Sequence, residues 1–164
     1  MSNQVMKKYQ KAVDVVHSSF QNDLNVTMSI YIERMKNLKT NLLRNLIVSE
    51  TSVCVNKTTP NSLSVKSCLI QIASDSLNIM QHTTYVEANM IISNNTKLFE
   101  QKNADYGSSF EDFELIGIVI RLNDKINRII NLGRKPLDEI KVDEKIEDTI
   151  NDLYNYCVIG LMYC

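Results

Sequence analysis

Apolar side chains recur along this chain at the three-and-four spacing of a single helical face, with polar residues filling the positions between. Over about Asn3 to Phe20, Val5, Tyr9, Ala12, Val13, Val16 and Phe20 form such a stripe, which predicts an amphipathic helix. A second helix, with Asp23 or Asn25 as its cap, carries Met28, Ile32, Met35, Leu38, Leu42 and Leu46 on one side. Glu33, Lys36, Lys39 and Arg44 occupy its other side. From Ser62 to Met80 the set Leu63, Leu69, Ile70, Ile72, Ala73, Leu77 and Met80 restores the period. Thr83 or Thr84 then offers a cap for a fourth helix through Tyr85, Ala88, Met90, Ile91, Ile92 and Leu98 to about Lys102. Two further helices are predicted over Phe113 to Leu132 and Asp143 to Tyr163.

The breaks between these segments are few. Glycine is scarce and proline occurs only at Pro60 and Pro136, so strands would have little to turn around. Val48 to Asn61 holds no helical period and reads as a loop, with a short strand at Ser52 to Val55. Gly107 and its serines favour a turn over Asn103 to Phe110. In Gly133-Arg134-Lys135-Pro136, Gly133 can supply a left-handed cap and Pro136 prevents continuation. The expected fold is an all-α bundle of five to six helices, a single domain in which residues 1–97 and 98–164 share one compact unit. No internal repeat is evident.

A chain of 164 residues is long enough for one core and short for two. Its 44% hydrophobic and 23% charged content is that of a soluble globular protein, and a net charge of -1 gives no global reason to hold nucleic acid. No apolar run approaches the roughly 20 residues that span a bilayer, and the start of the chain lacks the apolar stretch of a signal peptide. Cys54, Cys68, Cys157 and Cys164 form no CxxC pair, and His17 and His82 stand alone, so the cysteines read as free thiols of a reducing, intracellular compartment. The Asn- and Ile-rich composition suits an AT-rich genome, including a viral one.

Charge patterning changes the picture in the last third. Arg121, Asp124, Lys125 and Arg128 fall at i, i+3, i+4 and i+7 within an otherwise apolar run and stack on one helical face. Glu144, Asp148 and Asp152 recur one turn apart, opposite Ile146, Ile150, Leu153, Cys157 and Leu161. Carboxylates roughly 6 Å apart suit a shared Mg²⁺ or Mn²⁺, with water and substrate phosphate completing the shell. The alternative is a salt-bridged pair of faces with no ligand. In the turn before them, Lys102 could meet a phosphate, Tyr106 or Phe110 could stack on a base, and Gly107 could allow close backbone approach.

The string Lys102 to Phe110, then Gly117, Arg121, Asp124, Lys125, Arg128 and Leu132, then Glu144, Asp148, Thr149, Asp152 and Tyr156, resembles the signature of the nucleotide modification associated domain 1 family. That family has a K-x-x-D-Y-G-x-S-F turn before an R-x-x-D-K-x-x-R helix and an E-x-x-x-D-T-x-x-D helix. The likeness covers about residues 98 to 163. It implies a role in nucleotide metabolism or DNA-base modification, in phage and bacteria, and kinship with the all-α nucleoside triphosphate pyrophosphohydrolases of MazG type. Those enzymes hold Mg²⁺ with E-x-x-E and E-x-x-D helices; here Glu111-x-x-Glu114 is present, but the later helix reads Glu144-x-x-Glu147 with Asp148 one place on.

The resemblance further implies a nucleotide-binding protein that hydrolyses or processes a (deoxy)nucleoside triphosphate with Mg²⁺ or Mn²⁺. Glu144, Asp148 and Asp152 are the expected metal ligands, with Asp124, Lys125, Glu144 and Asp148 as the catalytic set. Lys102, Asp105, Tyr106, Gly107, Phe110, Arg121 and Arg128 are the expected nucleotide-binding residues. Enzymes of that type usually share sites between subunits, which implies a homo-oligomer. The rival readings are a nucleotide sensor without turnover and a structural helical module.

Overall fold

The computed structural model describes residues 2–51, 64–106, 109–134 and 145–164, with the side chains of 2, 47–51 and 105–106 left undescribed. Among the described residues six α-helices follow one another: α1 (Ser2–Ser19), α2 (Met28–Thr51), α3 (Val65–Thr84), α4 (Ala88–Tyr106), α5 (Glu114–Leu132) and α6 (Ile146–Leu161), with a 3-10 turn at Ser109–Glu111 before α5. The described residues contain no strand, as the all-α expectation required. The expected strand at Ser52 to Val55 lies outside the described residues.

Local hydrogen bonding explains where several helix ends differ from the sequence pattern. Thr27, rather than Asp23 or Asn25, caps α2, accepting the Ile30 N–H at 3.4 Å. Asp23 instead closes its own turn, accepting the Asn25 N–H at 3.0 Å, while its N–H donates to Asn78 Oδ1 at 2.9 Å. The helix α2 continues to Thr51, so Val48 to Thr51 is helical rather than loop. Elongation adds one hydrogen bond per residue, which carries a nucleated helix past the end of its apolar period. Ser64 caps α3 through the Ser67 N–H, and Tyr85 ends it in the left-handed region at φ 57°. Thr83 and Thr84 belong to that last turn, donating to the Ile79 and Met80 carbonyls at 3.1 and 2.6 Å, so neither caps α4. Gly133 has an ordinary φ of -68°, so no left-handed cap forms there. Its missing side chain has a packing reason: a Cβ would run into Ile32 of α2.

The helices α3 and α6 form the centre. Their contact is the most extensive in the molecule, and α2 flanks α3 as α5 flanks α6. Every residue from Ile72 to Met80 is buried, as is every one from Cys157 to Leu161. Gly160 lets α6 come close: a Cβ there would meet Leu69 Cδ1 at 3.0 Å and Ile118 Cγ2 at 3.2 Å. Burial of α3 on nearly all sides forces its polar groups to find partners inside. Ser76 shares a 2.9 Å hydrogen bond with the Tyr31 hydroxyl, and Asp75 Oδ1 accepts from Arg34 Nη1 and Gln71 Nε2, each at 3.1 Å.

The bundle has an internal correspondence that the amino-acid pattern concealed. Which helices touch is nearly unchanged when α1, α2 and α3 exchange places with α4, α5 and α6: α1 meets α6 as α4 meets α3, while α1 meets α4 and α2 meets α5. Inward positions follow the same register. Tyr31, Ile32, Met35 and Leu42 of α2 are buried at the spacing of Ile118, Val119, Leu122 and Ile129 of α5. Leu69, Ile72, Ala73, Ser76, Leu77 and Met80 of α3 match Ile150, Leu153, Tyr154, Cys157, Val158 and Leu161 of α6 in the same way. Val5, Tyr9 and Val13 likewise correspond to Ile91, Asn95 and Phe99. Side-chain identity differs at almost every pair, which is why no repeat is legible in the sequence.

Two measurements test this packing. Gly160→Val would push branched carbons against Leu69 and Ile118, and chemical denaturation should show a loss of about 1–3 kcal/mol; an unchanged midpoint would mean that α3 and α6 do not approach so closely. Desolvation by burial raises the Asp75 carboxyl above its usual range, against the opposing pull of Arg34 and Gln71. The folded state then binds a proton more readily than the unfolded chain, so Asp75 contributes more stability as pH falls and less as it rises. Acidification from neutrality through the carboxylate range should therefore improve the wild type relative to Asp75→Asn, read as their difference in Tm; a difference that shrinks on acidification would contradict the direction.

Candidate functional site

The C-terminal half folds around a cavity of about 420 Å³. Its walls come from the last turns of α4 with Phe99, Lys102 and Asn103, the 3-10 turn with Phe110, the start of α5, and Tyr156 and Ile159 of α6. Lys102 and Arg121 supply two cations to the lining, and Asp112 and Glu114 supply two carboxylates. Four rings border the space: Phe99, Phe110, Phe113 and Tyr156.

The apolar wall is anchored from the other side of the molecule. Phe99 stacks on Tyr9 of α1 with ring centroids 3.9 Å apart and planes at 5°. Phe110 tilts against Phe99 at 5.8 Å and meets Tyr163 edge-on at 6.5 Å. This aromatic chain fixes the 3-10 turn Ser109–Glu111 through Phe110. The opening of α5 is under conformational constraint. Glu114 stands at φ 47°, a region that costs a residue with a Cβ about 1–3 kcal/mol. Phe113 folds back over Gly117, where a Cβ would stand 2.6 Å from the Phe113 Cβ. Gly117 is thus required by the path of the chain at the cavity wall.

The structure divides the residues singled out from the sequence into separate places. Lys102, Phe110 and Arg121 line the same cavity. Lys125 is not in it: its Nζ donates to Asp152 Oδ2 at 2.7 Å, an α5–α6 ion pair. Asp124 is exposed. Arg128 is half-buried and has a partner of its own. Asp148 lies with Glu147 in the first turn of α6 and lines a different cavity of about 280 Å³, beside Asn94, Asn95 and Asn151. Asp105 and Tyr106 end α4, with side chains outside the description, and Gly107 and Glu144 lie outside the described residues. Among the described residues no three His, Cys, Asp or Glu side chains gather into a metal-binding group.

Sequence reasoning missed Asp112, Asn103 and Phe99 as parts of the lining. Asp112 and Glu114 sit next to an irregular turn, and only its course brings their carboxylates to the same wall as Lys102 and Arg121. Glu114 had a signal in Glu111-x-x-Glu114. Phe99 had none, since an aromatic at helical spacing reads as core, which it also is. No described helix is long and apolar enough to cross a membrane. Cys68, Cys157 and Cys164 form no disulfide among the described residues, and burial pushes the Cys68 thiol up to about 11, which disfavours its nucleophilic thiolate.

No curated protein and no solved structure matches the chain. A family model does match, over most of the stretch that builds this cavity: residues 102–163 are similar to the nucleotide modification associated domain 1.

Proposed function

We propose that the cavity between α4, α5 and α6 binds a nucleotide. The observation that carries this reading is the lining itself, two cations and four aromatic rings on one space of nucleotide size, inside the segment that matches a nucleotide modification associated domain. Phosphate oxygens would take charge-assisted hydrogen bonds from Lys102 and the planar fork of Arg121. A base would lie against Phe113 or Tyr156, because Phe110 already spends its faces on Phe99 and Tyr163.

A second reading, Mg²⁺-dependent hydrolysis of a nucleoside triphosphate, is favoured by the two carboxylates on the same wall. Mg²⁺ commonly takes one or two carboxylates and completes its shell with water and substrate phosphate, and Asp112 and Glu114 are hard oxygen donors suited to that. When bound, the ion supplies charge neutralisation and a more acidic water. Lys102 and Arg121 would hold the phosphates against developing negative charge, and the strained start of α5 would keep Glu114 facing them. The carboxylates expected from the sequence are less suited, since Lys125 already neutralises Asp152 and Asp148 faces another cavity.

The test is thermal stabilisation by deoxynucleoside triphosphates with and without Mg²⁺, paired with product analysis. Ligand that binds only the folded chain must raise Tm. Arg121→Ala and Lys102→Ala should each weaken binding by about tenfold or more, the loss of one charged hydrogen bond. Glu114→Gln should keep binding and abolish turnover if hydrolysis is the activity. A wild-type protein whose Tm ignores every nucleotide would refute the nucleotide reading, and stabilisation without product would leave a sensor in place of an enzyme.

A further inference from the structure

The exchange of α1–α3 with α4–α6 relates three lining positions of the cavity, Arg121, Tyr156 and Ile159, to Arg34, Asp75 and Asn78 in a second one. On α5 the face Arg121, Asp124, Lys125 and Arg128 has its register counterpart on α2 in Arg34, Asn37, Leu38 and Asn41, and all four of these line a second cavity of about 650 Å³ between α2 and α3. Across that cavity Asp75 and Asn78 of α3 occupy the positions that Tyr156 and Ile159 of α6 hold in the first. The second cavity lies outside residues 102–163 and owes nothing to the family match.

Its chemistry is different. The ionic groups on its lining are Arg34, Asp23 and Asp75, one cation against two carboxylates, whereas the first cavity is balanced at two and two. No aromatic side chain borders it. Asp75 is only 2% exposed, and although its Oδ1 is served by Arg34 and Gln71, its Oδ2 is buried with no hydrogen-bond partner. The adjacent Ser74 hydroxyl, on a residue 8% exposed, is also buried without one. Arg34 is shared, standing 4.0 Å from Asp23 Oδ2 as well as 3.1 Å from Asp75. An unpaired acceptor of this kind costs the fold several kcal/mol unless something donates to it.

We propose that this cavity is a second ligand site, built on the same frame as the first, that takes a small organic cation such as an alkylammonium rather than a phosphate. One protonated nitrogen would supply the N–H that Asp75 Oδ2 lacks, offer another to Ser74 Oγ, and cancel the excess negative charge. The absence of a ring from the lining disfavours a base, and the carboxylates repel phosphate. The proposal is independent of nucleotide binding at the first site.

Chemical-shift titration of the full chain with putrescine tests it, with erythritol as an uncharged comparator. Saturable shifts are expected at the Ser74, Asp75 and Asn78 amides at millimolar putrescine. Asp75→Asn should weaken binding about tenfold, with Ser74→Ala as the second probe if the first variant unfolds. Arg34→Gln removes the competing internal cation and should tighten putrescine binding, an effect that a merely structural role of the cavity would not produce. Arg121→Ala, in the first cavity, should leave it unchanged. Equal shifts with erythritol, weakening by Arg34→Gln, unaltered affinity in both Asp75→Asn and Ser74→Ala, or no saturation because an ordered water alone satisfies Asp75 would each overturn it.

Discussion

The close packing of α3 on α6 is the constraint on which the rest of the fold depends. Two helices buried on most of their circumference need a small residue where they come closest, and Gly160 supplies it against Leu69. With that pair fixed, α2 and α5 pack against it and touch each other, and α1 and α4 also meet, through the Tyr9–Phe99 stack, while Asn95 of α4 hydrogen-bonds with Asn151 and Asn155 of α6. The cavity of about 420 Å³ lies between α4, α5 and α6, and that of about 650 Å³ is lined by α2 and α3.

Placing ionic residues beside a dry core sets the character of each space. Where a cation and a carboxylate can meet directly, they do: Lys125 with Asp152, both partly exposed, a pair worth no more than about 1 kcal/mol. Such a pair is a seam between α5 and α6. Lys102 and Arg121, by contrast, face open volume on the first cavity's wall, and Asp75 retains an oxygen with nothing to accept from. Groups left incompletely served by the protein mark the places where a guest would lower the free energy.

Much of the fold could be read from spacing alone. Six segments, their apolar faces and the break near Gly107 all derive from period and punctuation, because helix formation is local. Errors clustered at ends, where the deciding partner is close in space or is a backbone group: Thr27 outcompeted Asp23 because Asp23 was held by Asn78, and the hydroxyls of Thr83 and Thr84 turned back onto their own helix. The site was half legible. Lys102, Phe110 and Arg121 do converge, but Asp148 and Asp152, one turn apart and so read as a pair, point to different neighbours, since one turn of α6 is enough to pass from the α5 contact to the α4 contact.

The sequence by itself determined the helices, their buried faces, the ionic character of α5 and α6, and the resemblance to a family signature in the C-terminal part, all of which depend on residues a few positions apart. Only the tertiary structure decided which charges would neutralise each other, which would border a cavity, and that the first three helices stand in register with the last three. Those outcomes rest on distances between segments remote in the chain, and a linear pattern holds no record of them: Arg34 and Asp75 carry no visible motif, and become a pair only when α2 lies along α3.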